Sequence, residues 1–167
     1  MKPTTKKLAG LTLAFFAFFL TIGSMPAFCQ SLSQIERVLN LNSNLERIIR
    51  DFEETGSLPD DDSRALLLDG TVASVTVVDE TEENFEAYIE LASGKWTENE
   101  EIKLYRAFIR VYGSSFFPML IATEENPSTL SPGDQLIAIA ILEGIMGDPI
   151  DGSDILLFDA MYMRSFR

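Results

Sequence analysis

Three carboxylates lie close together in the segment DPIDGSD at 148–154, which holds Asp148, Asp151 and Asp154. Calcium prefers several oxygen ligands on a flexible loop, and a glycine lets such a loop turn. The spacing differs from that of an EF-hand, whose ligands alternate more tightly and whose loop is closed by a glutamate. The segment therefore allows a calcium site, whereas a solvated acidic loop explains the same residues without any ligand.

Most other catalytic chemistry is excluded because the chain contains no histidine. A catalytic triad with an imidazole base is impossible, and the commonest transition-metal ligand is missing. Ser114, Ser115 and Ser131 have no plausible base to activate them. A pair of carboxylates can hydrolyse a glycosidic bond, but in a chain with 26 acidic residues such pairs arise by chance. We predict a protein without catalytic activity and without a cofactor, with calcium as the one candidate ion.

The charge balance is strongly acidic, with 26 acidic against 13 basic residues and a formal net charge of −13. Nucleic-acid binding depends on lysines and arginines that neutralise phosphates. Anionic lipid surfaces likewise attract basic rather than acidic segments. The composition therefore predicts a protein that binds no nucleic acid and does not insert into a membrane once its leader is removed.

Residues 1–29 have the pattern of a secretory signal peptide. A basic start is followed by an uncharged apolar run from Leu8 to Ile22, which is shorter than the about 20 residues of a membrane-spanning helix. We predict cleavage after Cys29 and export to the periplasm or the cell exterior. An uncleaved anchor is one alternative. A lipid anchor on Cys29 is another, although Phe28 stands where lipidation requires a small residue.

Residues 30–56 predict an amphipathic helical segment, because apolar residues recur with the period of a helix. Asparagines and serine at 40–44 interrupt it, since such residues favour caps and turns. We expect one bent helix or two, ending at Gly56, and the second part carries Leu45, Ile48, Ile49 and Phe52. This apolar stripe either packs on the domain that follows, or it docks on a partner through Ile48 and Phe52.

An acidic linker at 57–63 separates this segment from a region in which the hydrophobic period changes to two. Strands are predicted at 66–78, 85–91, 102–112, 135–142 and 155–164, with a turn at 93–100 and a short helix or irregular cover at 114–126. Alternation places Ala87, Ile89, Ala107, Ile109 and Val111 on the inner face. The fourth strand is apolar on both faces, so we expect it to be buried on both sides or closely covered.

Three strands, a short helical cover and two further strands resemble the OB-fold, a five-stranded partly open barrel. The resemblance covers about residues 64–167 and rests on four motifs: Gly70-Thr-Val72 in the first strand, Gly133-Asp134 with Leu136 at the start of the fourth, Glu143-Gly144 at its end, and Leu157, Phe158 and Ala160 in the last. The chain is similar in layout to small exported bacterial OB-fold proteins, many of which bind without catalysis. We expect a mainly β chain, an OB-like barrel preceded by the helical segment.

The resemblance implies a binding surface on the outer face of strands two and three, beside the loops that join strands one to two and four to five. Both loops, at 79–84 and 143–154, are acidic. The strand face combines arginines with aromatic residues, as protein interfaces do: Tyr88, Arg106, Phe108, Arg110 and Tyr112. Alternatively, Glu86 and Glu90 pair with these arginines, and the aromatic rings pack under the helix. We predict a protein partner or a homo-oligomer, with calcium binding as the alternative function.

Overall fold

The computed structural model describes residues 35–58, 64–124 and 126–166. The elements are β1 (Leu39–Asn40), α1 (Leu45–Thr55), β2 (Ala65–Asp79), β3 (Glu86–Trp96), β4 (Ile102–Tyr112), α2 (Phe117–Leu120), β5 (Gln135–Gly147) and β6 (Asp154–Phe166). The predicted order of three strands, a short helix and two strands is confirmed by β2 to β6. The predicted signal peptide, including Cys29, and the linker carboxylates at 60–62 lie outside the described residues.

The strands form one sheet that curls into a partly open barrel. β3 pairs antiparallel with β2 and β4, and β6 pairs antiparallel with β5 and parallel with β4. The long strand β2 closes the ring, because its first part pairs with β5 and its second part with β3. The short β1 adds in parallel beside the start of β2.

The inner face of the barrel is filled by the alternating apolar residues that the sequence predicted. Ala87, Ile89, Ala107, Ile109 and Val111 are all fully buried. Leu68, Leu136, Leu156 and Phe158 belong to the same core cluster. On β5 only the inner face is buried, whereas Ile137, Ile139 and Ile141 remain partly exposed. The expectation that this strand is buried on both sides is therefore wrong.

Helix α1 is part of the barrel core. Asn44 caps its start by accepting a hydrogen bond from the Arg47 amide at 2.9 Å, and Gly56 ends it in the left-handed conformation at φ 64°. Two ion pairs, Lys95 with Glu46 and Lys103 with Glu53, join it to β3 and β4. The asparagine-rich stretch does break the predicted segment, because residues 35–38 form a separate helical turn.

The apolar stripe of α1 faces the barrel. Ile48 is only 4% exposed and lies in the core cluster with Leu45 and Ile49, while Phe52 packs partly buried against that cluster. The apolar stripe of α1 therefore packs on the domain that follows it, which was the first of the two alternatives. Among the described residues, no helix is long and apolar enough to cross a bilayer.

Two strands are longer than predicted. β5 continues to Gly147 instead of closing at Glu143-Gly144, and its register with β6 shifts between Leu142 and Gly144. β3 continues to Trp96, which pairs with Ile102, so the turn predicted at 93–100 begins later. In both cases cross-strand pairing extends the strand through residues whose types favour turns, since tertiary pairing overrides weak local preferences.

β2 passes very close to β3 at Gly70, where its pairing changes from β5 to β3. A Cβ at this position would lie 2.7 Å from the carbonyl oxygen of Ala92 and 3.0 Å from the Leu91 Cγ. Ala92 pairs with Thr71 in the sheet, so its backbone cannot move aside without disturbing the pairing. The close approach of the two strands therefore requires a glycine at position 70.

The substitution Gly70→Ala is expected to lower the free energy of unfolding by about 1–3 kcal/mol, because an added methyl group in a tightly packed position forces the backbone to shift. Urea denaturation followed by circular dichroism measures this loss. Gly94→Ala is the matched control in the same sheet, since its Cβ would make ordinary contacts at 3.4 Å and 3.5 Å with Ile102 and Leu104. Equal losses in the two variants would contradict the steric explanation.

Candidate binding face

The outward side chains of β3 and β4 form one surface, which we call the β3–β4 face. Cross-strand register places Tyr88 opposite Arg110 and Glu90 opposite Phe108, with Arg106 and Tyr112 further along β4. The structure therefore brings together all five strand residues that the sequence singled out. Ile48 and Phe52, on α1, are not part of this face.

Arg106 connects β3 to the loop between β5 and β6. Its Nε donates to Glu90 Oε1 at 2.6 Å, and its Nη1 lies 2.9 Å from Asp148 Oδ2. Glu90 also accepts a hydrogen bond from the Ser74 hydroxyl at 2.9 Å. The hydrogen bond to Glu90 raises the pKa of Arg106, and the charges of Glu90 and Asp148 add to that rise. Among the described residues, the buried Nη2 of Arg106 has no partner.

Arg110 is held by β6. Its Nε and Nη2 donate to the two carboxylate oxygens of Asp159 at 2.8 Å and 2.7 Å, a bidentate pair that raises the pKa of the guanidinium. The expected pairing of Glu86 with Arg110 is wrong, because β6 runs parallel to β4 and places Asp159 opposite Arg110. Glu86 instead accepts a hydrogen bond from the Tyr88 hydroxyl at 3.2 Å.

The aromatic residues of the face differ in exposure. Phe108 is only 4% exposed, while Tyr112, at the end of β4, is 58% exposed. The Arg110 guanidinium lies 6.0 Å from the centroid of the Tyr112 ring. Tyr112 is therefore accessible from solvent, whereas Phe108 is buried in the packing of the sheet.

Three exposed apolar side chains stand at the other end of the same face: Trp96, Ile102 and Leu104, which we call the hairpin-tip patch. Trp96 is 68% exposed and pairs directly with Ile102, and Leu104 lies opposite Gly94. The sequence interpretation missed Trp96, because it assigned residues 93–100 to a turn. The apolar two-residue alternation of β3 ends at Leu91, so it gave no signal that the strand reaches Trp96.

The three aspartates of the loop between β5 and β6 do not converge. The carboxylate of Asp148 contacts Arg106 and accepts the Ile150 amide at 2.8 Å. Asp151 accepts the Ser153 amide at 2.9 Å, and hydrogen bonds from Ser153 lower the pKa of Asp151. Within the described part of the chain, no three acidic or cysteine side chains are placed to hold a metal ion.

No family model matches the chain, and no curated protein matches it. Solved structures with a similar backbone do exist. The small single-stranded DNA-binding protein from Streptomyces coelicolor is 14% identical with a TM-score of 0.41, covering 63% of this chain and 94% of that one. The single-stranded DNA binding protein from Thermus aquaticus is 17% identical with a TM-score of 0.41, covering 60% of this chain and 48% of that one.

A third structure, the Plasmodium falciparum SSB in complex with ssDNA, is 14% identical with a TM-score of 0.42, covering 66% of this chain and 100% of that one. This chain matches about half, 48%, of the length of the Thermus aquaticus protein. At these identities the likeness concerns the fold. The chain has a mainly β, OB-like, partly open barrel, as the sequence predicted.

Several functional expectations require correction. They followed from the signal-peptide pattern, the acidic charge and a likeness to small exported OB-fold proteins. The solved structures that share the fold bear the names of single-stranded DNA-binding proteins. The expectation of an extracytoplasmic protein-binding module, with calcium binding as its alternative, is wrong on this finding. The exclusion of nucleic acid and the periplasmic or extracellular location are wrong on the same finding.

Proposed function

We propose that this chain binds single-stranded nucleic acid, without catalysis, by stacking bases on the β3–β4 face. OB-folds bind oligonucleotides and oligosaccharides on the outer face of their second and third strands, which here are β3 and β4. The observation that carries the proposal is the exposure of Trp96 and Tyr112 at opposite ends of this face. Aromatic side chains on such a surface stack bases regardless of sequence.

The length of the face suits an extended strand. Ile102, the partner of Trp96, and Tyr112 are the two ends of β4, and a strand rises by about 3.3 Å per residue, which places them about 33 Å apart. OB-folds contact about 4 to 16 nucleotides. A short single strand that reaches from the hairpin-tip patch to Tyr112 falls within that range.

Phosphate contacts contribute little to this binding. The four basic residues of β3 and β4 are all in ion pairs: Lys95, Lys103, Arg106 and Arg110. Only cations that neutralise phosphates release counterions and make affinity fall with salt. The affinity is therefore modest and depends mainly on stacking.

A neutral oligosaccharide is a second candidate ligand. The same ion pairs favour it, together with the acidic loop at 79–84, because an uncharged ligand is not repelled by carboxylates. Sugar hydroxyl groups can donate hydrogen bonds to those carboxylates, and a sugar ring can lie on an aromatic side chain. Salt dependence and direct comparison of the two ligands distinguish the candidates.

Trp96 provides the test, because it is the only tryptophan in the chain. Titration with an oligothymidylate of about 12 nucleotides is expected to quench its fluorescence to saturation. Raising the salt fourfold is expected to weaken binding by less than about threefold, since at most one phosphate is neutralised. Saturation by a neutral oligosaccharide but not by the oligonucleotide supports the second candidate, and saturation by neither contradicts both.

The substitution Trp96→Ala is expected to weaken binding of a labelled oligonucleotide at least about tenfold, because each stacked base contributes about 1–3 kcal/mol. Fluorescence anisotropy of the label measures the affinity without the tryptophan. Tyr162→Ala is the matched control, since Tyr162 is another exposed aromatic residue, on β6, where it pairs with Ile139 of β5. Equal effects of the two substitutions would argue against the β3–β4 face.

A further inference from the structure

We propose that the loop at 148–153 is a strap that is held against the β3–β4 face by Asp148 on Arg106, and that an anionic group of the ligand releases the strap by replacing Asp148. The ligand-dependent half of this inference rests on the proposed function. The strap itself does not, because it follows from contacts within the chain.

The ion pair of Asp148 with Arg106 joins the strap to β4. The Asp148 side chain is only 1% exposed, although it lies at the start of a loop whose next residues are exposed. Within the loop, the Asp148 amide donates to the Ser153 carbonyl at 2.7 Å, and the Gly152 amide donates to the Asp148 carbonyl at 2.8 Å. The loop is thus a compact unit, and the carboxylate of Asp148 attaches it to β4.

Among the described residues, one nitrogen of the Arg106 guanidinium donates no hydrogen bond. Its Nε serves Glu90 and its Nη1 serves Asp148, while its buried Nη2 has no partner among the described residues. A guanidinium binds an anionic group best through two parallel N–H donors. When Asp148 leaves, Nη1 and Nη2 together present such a pair to a phosphate oxygen, while Glu90 keeps the guanidinium in place.

Space for this exchange exists beside the strap. A cavity of about 190 Å³ is lined by Arg106, Asp148 and Ser153, together with Phe52 of α1 and Ile155 of β6. Ile155 is buried although it lies outside the core cluster. Opening of the strap therefore enlarges an existing cavity, and it adds apolar surface and one arginine to the β3–β4 face.

The test compares Asp148→Asn with Asp151→Asn in the full chain. Both remove one negative charge from the same loop. Asp148 forms a direct ion pair with Arg106, whereas Asp151 interacts with that guanidinium through its charge only. Hydrogen exchange of the Asp148 and Gly152 amides is the readout, because their hydrogen bonds join backbone atoms only. In Asp148→Asn their exchange is expected to rise at least about tenfold, since a charge-assisted hydrogen bond that held the loop is lost. In Asp151→Asn it is expected to change less than about twofold.

A second variant, Arg106→Lys, tests the strap even if Asp148→Asn fails to fold. A lysine keeps the charge beside Glu90, but its one ammonium cannot hold both carboxylates in the same geometry. It is expected to speed exchange of the same two amides. Unchanged exchange in folded Asp148→Asn, or in folded Arg106→Lys, overturns the strap.

Ligand release is measured separately, on the unsubstituted protein with saturating oligothymidylate. Faster exchange of the Gly152 amide, together with at least about threefold tighter binding by Asp148→Asn, supports release by an anionic group. If the variant opens but neither protein binds the oligonucleotide, the strap stands and the proposed function fails. If the oligonucleotide binds while exchange of Gly152 stays unchanged, release by the ligand is overturned and the proposed function stands.

Discussion

The substitution Ile48→Asp is expected to lower the free energy of unfolding by about 4 kcal/mol or more, enough to unfold much of the protein at ambient temperature. Ile48 is 4% exposed in the core cluster that α1 shares with the barrel. The change removes a buried aliphatic side chain and places a carboxylate in an apolar cluster. Urea denaturation, with the tryptophan fluorescence of Trp96 as one probe, measures the loss.

Arg47→Asp provides the control on the adjacent residue. The Arg47 side chain is exposed and its ion pair with Asp51 spans 3.8 Å, a type of contact that contributes less than about 1 kcal/mol. An aspartate in the first turn of α1 also interacts favourably with the helix dipole. If Ile48→Asp were no more destabilising than Arg47→Asp, α1 would not contribute to the stability of the barrel. Its apolar stripe would then be better explained by docking on a partner.

The substitution Phe85→Ala is expected to cost about 3–5 kcal/mol of unfolding free energy, because the cavity left by a buried ring is only partly filled by relaxation. Phe85 directly precedes β3 and is fully buried. Its ring meets that of Phe117 in an edge-to-face contact with centroids 5.5 Å apart. Its carbonyl accepts the Gly113 amide at 2.8 Å, which joins the start of β3 to the end of β4.

Phe166→Ala is the matched control for the loss of a phenylalanine. Phe166 lies at the end of β6 and is exposed, with its ring beside the Arg164 guanidinium. Its removal is expected to cost less than about 1 kcal/mol. The midpoint of urea denaturation separates the two variants. Comparable midpoints for both would show that burial of the Phe85 ring contributes little to the stability of the barrel.

The element order was predictable because it depends on local patterns. Two-residue alternation identified the strands of the barrel, and the asparagine-rich stretch and Gly56 set the bounds of α1. These signals follow from backbone geometry and capping chemistry within a few residues. They do not depend on the path of the backbone beyond those residues.

The ion pairs of the candidate site were not predictable, because the paired residues come from segments that are far apart in the sequence. Asp159 reaches Arg110 only through the parallel pairing of β4 with β6. The sequence pattern indicated that Asp148 was one carboxylate of a solvated loop, but its side chain is buried against Arg106. Net charge also misled the functional interpretation, since the sum over a whole surface does not describe one face of it.

The parallel contact of β6 with β4 has a consequence for the folding of the chain. β6 pairs with β4 and β5 at once, so the seam of the ring closes only after residues 154–166 have emerged. Until then β4 and β5 each keep an unpaired edge, which is a surface prone to aggregation. Closing the seam joins segments far apart in sequence, such as Arg110 and Asp159, which places this barrel among slow folders. During synthesis, protection of the chain from aggregation therefore depends on shielding the unpaired edges of β4 and β5.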